Sequence, residues 1–447
     1  MTDLDAPVEQ PRKPNDIVMD FIAILILISP IYGCFFPFES YVSLPSKIGA
    51  EGYTALPFPV TTVSLIVIMV TAAFFTWKTV QTGNKFRHDF LAYGLIVVAF
   101  LSALWAFDPV MTIQRAARLM PFTIFAIIFP QLYGPAKILR LMTVAFLVSA
   151  ILSIIVCIVE PGMGVGRIGG AYDFAWRGAM IQKNLTGIMF AIGAVITYAA
   201  WRMNGVSLPL AAVTAFGCVF MVIMSQSGTA AASLAQAIAV IAFMTMIQRA
   251  KMETRILLIL FAILCLVMLG LLAYAVSDLL FGIAGRDATL TGRTDVWEIA
   301  IRSLEAHPVR GFGYAFWTAD NPARNSIWRQ LGYAVGHSHN SWLDLWLQLG
   351  LAGLGIMIAI VVRNIYHTLR LILITPHPLG PAMMGLVILL LVRSMTEVQY
   401  TDPFPSILYF PLWADMCVVL VLASGGHARA TAAPAFSSRG AAPFMIP

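Results

Sequence analysis

Charge is the scarcest commodity in this chain. Asp, Glu, Lys and Arg together make up only 11% of its residues, against about 25% in ordinary soluble domains, so a solvated globular surface cannot be assembled from it. Paired cysteine is missing too. Cys34, Cys157, Cys218, Cys265 and Cys417 are scattered among apolar runs with no CxxC pair and no ligand spacing, which argues against a disulfide framework or a thiolate metal site and leaves them as small buried hydrophobes. No small-residue cleavage site follows the first apolar run, which therefore reads as an anchor and not as a removed signal peptide. No internal repeat is evident either, which weakens an inverted-repeat transporter reading.

Apolar residues fill the gap, at 59% of the chain with a mean hydropathy of +0.83. The expected class is an all-α polytopic membrane protein. A bilayer core takes about 20 apolar residues per helix, and runs of that order lie at Ile17–Pro37, Phe58–Trp77, Phe90–Phe107, Leu119–Leu132, Leu141–Val159 and Leu185–Trp201. Others follow at Leu208–Met224, Thr229–Ile247, Ile256–Val276, Trp342–Val362, Met383–Met395 and Pro405–Ala423. This predicts about twelve transmembrane helices.

Basic residues mark the cytoplasmic side of such spans. Arg12 and Lys13 place the N-terminus inside, and alternation puts Lys78, Lys85, Arg87, Lys137, Arg140, Arg249, Lys251, Arg255, the Arg363–Arg370 segment and the tail with Arg429 and Arg439 on the same side. The expected divisions are a cytoplasmic segment 1–16, a bundle of about nine spans over 17–276, an extracytoplasmic loop 277–341 containing short helices, about three spans over 342–423, and a disordered cytoplasmic tail 424–447. The net charge of +6 is in part a product of this sorting.

Cations on the opposite side need another reason. Arg115, Arg118, Arg167, Arg177, Lys183, Arg286 and Arg293 fall there, and the plain reading is pairing with local carboxylates such as Asp173, Asp287 and Asp295. Gly292–Ala306 has helical periodicity through Val296, Ala300, Ser303 and Leu304, so it predicts a short helix with Arg293 at its start. Gly311–Trp317, GFGYAFW, suits a membrane-interface loop or a sugar-stacking surface.

The stretch Gly336–Leu354, GHSHNSWLDLWLQLGLAGL, carries the most chemistry. His337 and His339 stand just before an apolar run with helical spacing, and Ser341 with Asp344 resembles a capping box that would start the helix. Partial positive charge at a helix N-terminus favours neutral imidazole and attracts phosphate oxygens, so the pair suits a phosphorylated substrate. A metal reading places His337 and His339 with Asp344 or Asp320. No DxD-like acidic pair lies beside them, and the nearby arginines meet the same electrostatic need, so neither metal nor cofactor is expected.

Together these residues resemble the O-antigen ligase and polysaccharide polymerase superfamily. The resemblance lies in Gly292-Arg293-Thr294 with Trp297, in Gly311-Phe312-Gly313-Tyr314, and above all in His337-Ser338-His339-Asn340-Ser341 leading to Leu349-Gly350-Leu351. Trp176-Arg177-Gly178 and Gln182-Lys183-Asn184 look like the branch of ExoQ-like exopolysaccharide polymerization proteins. Gln182 departs from a frequent histidine. Gly228, in Ser225-Gln226-Ser227-Gly228-Thr229, stands where a basic residue is common, so any phosphate contact from that turn must come from Ser227, Thr229 or backbone amides.

The resemblance implies a GT-C-like architecture in the bacterial inner membrane, with 277–341 as a catalytic loop facing the periplasm. It implies transfer of a glycan from undecaprenyl diphosphate to a glycan acceptor, with a flippase or chain-length regulator as further partners and no nucleic acid. His339 is the expected general base, with His337 the weaker candidate, and Arg293 and Arg177 are the expected diphosphate ligands assisted by Lys183. Glu397 would orient an arginine or the acceptor, or simply cap a span. Arg115 and Arg118, three residues apart on one helix face, would extend a diphosphate path or meet lipid phosphates. The leading expectation is an inverting polymerase of lipid-linked repeat units. A ligase delivering finished polymer to lipid A core shares its chemistry, and a non-catalytic glycan transporter is the rival from another class.

Overall fold

The computed structural model describes residues 86–165, 174–180, 182–262, 293–401 and 405–424, with a few further positions within 19–27 and 264–268. The expected spans Ile17–Pro37, Phe58–Trp77 and Ile256–Val276 lie largely outside these residues, as do the expected N-terminal segment and almost all of the tail. Helix dominates the described residues, and the only β pairing among them is an isolated bridge between Val165 and Trp176.

The helices are α1 (Phe90–Leu101), α2 (Pro109–Ala117), α3 (Leu119–Tyr133), α4 (Pro135–Val159), α5 (Lys183–Arg202) and α6 (Leu208–Met224). Then come α7 (Gly228–Arg249), α8 (Arg293–Leu304), α9 (Pro322–Leu331), α10 (Ser341–Leu373), α11 (Leu379–Ser394) and α12 (Tyr409–Ala423). Five helical stretches among the described residues are long and apolar enough to cross a membrane: Pro109–Tyr133, Pro135–Val159, Lys183–Arg202, Gly228–Arg249 and Ser341–Leu373. Shorter apolar helices stand with them at Phe90–Leu104, Leu208–Met224, Leu379–Ser394 and Tyr409–Ala423. The chain is therefore an all-α, multi-pass membrane protein.

Packing is dense where side chains are small. A Cβ on Gly193 of α5 would lie 2.6 Å from the Phe146 ring of α4 and 2.9 Å from Cys218 Sγ of α6, so these helices meet at nearly backbone distance. Helix α7 packs along α11, and α10 lies between α1, α11 and α12.

Helix α10 corrects one expectation. The run at Trp342–Val362 predicts a single ordinary span, whereas α10 has 33 residues, about 50 Å at 1.5 Å per residue and well beyond a hydrocarbon core of about 30 Å. Gly350 breaks it, with φ 65° and ψ −163°. The piece before the break holds the histidine motif, and the piece after it runs through Arg363–Arg370, expected as a connecting segment but helical throughout.

The loop after α8 is built into that break. Phe312 N donates to Leu347 O at 2.7 Å, Gly313 N to Gln348 O at 3.0 Å, and Leu351 N to Val309 O at 2.9 Å, restoring partners to groups the interrupted helix leaves free. A Cβ on Gly350 would sit 2.0 Å from Val309 O, and one on Gly311 2.7 Å from Leu347 O. Phe312, Tyr314, Phe316 and Trp317 are all buried. The GFGYAFW loop is thus a packed seam and not an exposed aromatic surface, because its backbone must lie against α10 to satisfy the broken helix.

Roughly 30 Å along α10 from its start, Arg363 joins three elements. It donates to both oxygens of Asp89, the N-cap of α1, at 2.6 and 2.7 Å, and its Nε lies 2.9 Å from Asp415 Oδ2 on α12. His367 Nδ1 stands 2.8 Å from the other oxygen of Asp415.

Candidate active site

Helix ends converge on Glu397, which follows α11 and is 4% exposed. Its Oε1 accepts from Arg293 Nη2 at 3.0 Å and from Asn184 Nδ2 at 3.2 Å, and its Oε2 lies 3.2 Å from His339 Nδ1. Arg293 is the first residue of α8, Asn184 the second of α5, and His339 directly precedes the N-cap of α10. Ser227, the N-cap of α7, donates to Asn184 Oδ1 at 3.1 Å. Three helix N-termini therefore meet at one carboxylate, and that of α7 is tied to it through Asn184, each contributing partial positive charge.

The start of α10 is made by Asn340, not Ser341. Asn340 Oδ1 accepts from the amides of Trp342 and Leu343 at 3.0 and 3.1 Å, as an N-cap does. Ser341 Oγ instead donates to Glu397 O at 2.8 Å and accepts from Gln399 N at 2.9 Å. The capping-box expectation fails because both of its members have other work. Asp344, fully buried, collects Trp317 Nε1, Ser338 N, Gln348 Nε2 and Thr401 Oγ1 at 2.9 to 3.1 Å.

These contacts fix the histidine loop from both sides. Trp297 of α8 donates from Nε1 to Ser338 O at 2.8 Å, one turn beyond Arg293, so a single short helix positions both the loop and the guanidinium. His339 is held at φ 55°, a left-handed conformation that non-glycine residues seldom adopt. Its side chain is 33% exposed, whereas His337 is 2% exposed. An ionised carboxylate only accepts, so Glu397 selects the tautomer of neutral His339 with its proton on Nδ1 and the lone pair on Nε2.

Electrostatics reinforce the roles. Burial alone would raise Glu397, but the hydrogen bond from His339 and the charge of Arg393 outweigh it and bring it down from 4.5 to about 2. Burial, followed by the positive surroundings, lowers His337 from 6.5 to about 3 and keeps it neutral. Its Nδ1 accepts from the His339 amide at 3.2 Å, so His337 supports the loop.

Ligand atoms of His337, His339 and Glu397 all lie within 4.8 Å of one another, a spacing that could hold a metal ion. Asp344 and Asp320, the acidic partners expected for such a site, are not part of it, since Asp320 pairs with Arg324 at 3.0 Å. The charge of Glu397 is already matched by Arg293 and adjacent to buried Arg393, so a dication would enter a positive environment. The donor set fits a hydrogen-bonded triad better.

Arg293 does not pair with Asp295 as the plain sequence reading has it; its partner is Glu397 together with Thr396 O. Arg177 is placed otherwise: its amide donates to Gly164 O at 2.8 Å, its Nη2 to Gly162 O at 3.4 Å, and its carbonyl accepts from Thr186 Oγ1 at 2.7 Å. The Trp176-Arg177-Gly178 motif thereby clips the chain before α5 onto the ends of α4 and α6, with Trp176 N donating to Met224 O at 2.8 Å. Lys183 opens α5 beside Asn184. Arg115 lies in the last turn of α2, and Arg118 is its C-cap. The structure thus brings His339, His337, Arg293 and Glu397 together, while the contacts of Arg177 named above tie it to the α4–α5 connection.

Two contributors were missed in the sequence. Asn184 stands in a motif from which only Lys183 was given a role. Arg393 was visible as a cation closing an apolar run, a placement that is expensive in a membrane and usually functional.

Part of the site lies in a stretch that is similar to a known family. Residues 210–358 match the O-antigen ligase family, a stretch that contains Arg293, His337 and His339. The chain is also 24% identical over 334 residues to the exopolysaccharide production protein ExoQ of Rhizobium meliloti (strain 1021), covering 71% of this chain and 75% of that protein. Both findings make the chain similar to the O-antigen ligase and ExoQ-like proteins and support a polysaccharide-processing function in a membrane.

Proposed function

We propose that this protein is an inverting glycosyltransferase that polymerises undecaprenyl-diphosphate-linked oligosaccharide repeat units at the outer, periplasmic face of the bacterial inner membrane. The observation that carries the proposal is the single carboxylate of Glu397 bonded at once to Arg293 and His339 where the N-termini of α5, α8 and α10 meet. His339 Nε2 takes the proton of an acceptor sugar hydroxyl as its oxygen attacks the anomeric carbon. The anomeric C–O bond breaks, its electron pair leaves with the diphosphate, and the configuration inverts. Glu397 stabilises the imidazolium that forms. Arg293, assisted by Arg177 and Lys183, receives the diphosphate charge, which the helix N-termini also favour. Arg115 and Arg118 extend the path for the lipid phosphates. Fixed cations suffice for so good a leaving group, so no metal is needed.

The experiment is elongation of purified lipid-linked repeat units by the full-length protein in proteoliposomes, with release of the diphosphate lipid measured in parallel. Failure of wild-type protein to lengthen the glycan or release that lipid sinks the proposal. The match to the O-antigen ligase family supports a second reading, delivery of finished polymer to lipid A core or another acceptor. Sizing the glycan after deletion separates them: single repeat units mark a polymerase, full-length lipid-linked polymer a ligase.

A further inference from the structure

Asp344 closes a ring of contacts around the proposed base. Its carboxylate is fully buried in the first turn of α10, and four groups donate to it. Trp317 Nε1 and Ser338 N reach Oδ1, both at 2.9 Å, and Gln348 Nε2 and Thr401 Oγ1 reach Oδ2 at 3.0 and 3.1 Å. A carboxylate has about four acceptor positions, so Asp344 spends all of them inside the protein.

Two of those donors lead back to the site. Ser338 directly precedes His339, and Thr401 ends the segment 397–401 that begins with Glu397. Because His339 Nδ1 lies 3.2 Å from Glu397 Oε2, the path from His339 through Ser338, Asp344 and Thr401 and back along the chain to Glu397 returns to its start. Ser341 braces the ring from within, donating to Glu397 O at 2.8 Å and accepting from Gln399 N at 2.9 Å. Val398 and Tyr400 are buried in the bundle core, and Gln399 Nε2 donates to Leu390 O of α11 at 2.8 Å. Segment 397–401 thus has one register against α10, with the Thr401–Asp344 bond as its far anchor. On the other side of the ring, His339 keeps φ 55°, a conformation that persists only where its surroundings over-determine it. The bond from Ser338 N to Asp344 restrains the residue immediately before it.

We propose that Asp344 is a positioning residue for glycosyl transfer: it holds the backbone of the histidine loop and the segment carrying Glu397 in one register, so that Nδ1 of His339 meets the carboxylate and Nε2 faces the acceptor. It touches neither sugar. The assignment rests on the glycosyltransferase reading above and adds to it a residue that acts through His339.

The test is steady-state elongation by the full-length protein in proteoliposomes, with kcat per folded molecule and KM for the lipid-linked repeat unit measured separately. Asp344→Asn turns one acceptor oxygen into a donor that faces other donors. It should lower kcat about 10- to 100-fold, the cost of misplacing a reacting group by about 1 Å, and keep KM within about 2-fold of wild type. Thr401→Val removes one bond at nearly constant shape and should lower kcat about 3- to 10-fold, whereas Thr401→Ser, which keeps the hydroxyl, should stay within about 2-fold. In a His339→Ala background neither Asp344→Asn nor Thr401→Val should lower the residual rate further, because no base is left to position. A merely structural role would reduce the amount of folded protein without changing its turnover, or would add its loss to that of His339→Ala; either result overturns the proposal. If Asp344→Asn does not fold, wild-type kcat in Thr401→Val overturns it. Wild-type protein that neither lengthens glycan nor releases diphosphate lipid sinks the glycosyltransferase reading and this assignment with it, whereas an active wild type with undiminished kcat in both variants overturns the positioning role alone.

Discussion

His339 directs Nδ1 at Glu397 Oε2 across 3.2 Å, while the other carboxylate oxygen holds Arg293 at 3.0 Å. One side chain thus orients the proposed base and the proposed leaving-group cation together, although Glu397 lies 58 residues from the first and 104 from the second. Displacing Glu397 should disturb both functions at once.

Removing the base tests the chemistry. His339→Ala should lower the rate of repeat-unit elongation about 10²- to 10⁴-fold, the usual contribution of a general base. Glu397→Gln, which keeps the shape but loses the charge, should lower kcat by about 10- to 100-fold as tautomer control and the Arg293 contact weaken. An active His339→Ala protein sinks the base assignment.

Acid should destabilise the fold in two windows. Glu397 falls from 4.5 to about 2 on folding, so its stabilisation is complete above about 4.5 and is lost as pH drops towards 2. His337 falls from 6.5 to about 3; below about 6.5 the unfolded chain takes up a proton that the fold refuses, so stability also declines with acidification from there. Melting midpoints measured between pH 7 and 3 should fall continuously. His337→Asn should flatten the upper part of that curve and Glu397→Gln the lower part.

Gly350 is expected to tolerate no side chain. Gly350→Ala places a Cβ 2.0 Å from Val309 O at φ +65°, combining a left-handed penalty with a backbone clash. The cost should be at least about 2 kcal/mol, read as a lowered melting midpoint in detergent. An unchanged midpoint would mean that the break does not depend on glycine.

At the far end of α10, Arg363→Met leaves Asp89 and Asp415, 5% and 6% exposed in their side chains, without their shared cation. Stability should drop by about 3–5 kcal/mol, while turnover per folded molecule stays at the wild-type level, since the network lies a bilayer's depth from Glu397. A selective loss of kcat would instead couple the two ends.

Excess chelator should leave elongation unchanged, because cations already surround the Glu397 carboxylate. Activity lost to chelation and restored by a divalent ion would reassign His337, His339 and Glu397 as metal ligands.

What the sequence by itself determined was the material of the fold and the identity of the central motif. A chain so poor in charge must bury helices in lipid, and the observed bounds of α6 coincide with the apolar run Leu208–Met224. His339 and Arg293 were legible because their local patterns, a polar pair before a helix and an arginine opening one, need no knowledge of distant contacts. The tertiary structure alone decided what those residues face. Glu397, Asn184 and Arg393 come from other helix ends, and their meeting depends on how α5, α7, α8, α10 and α11 stack. Gly350 looked like part of a span because hydropathy is blind to φ, and Ser341 looked like a cap because its better partner, the Glu397 carbonyl, is remote in the chain. Periodicity records which face of a helix is apolar; only packing determines whose polar end is brought beside it.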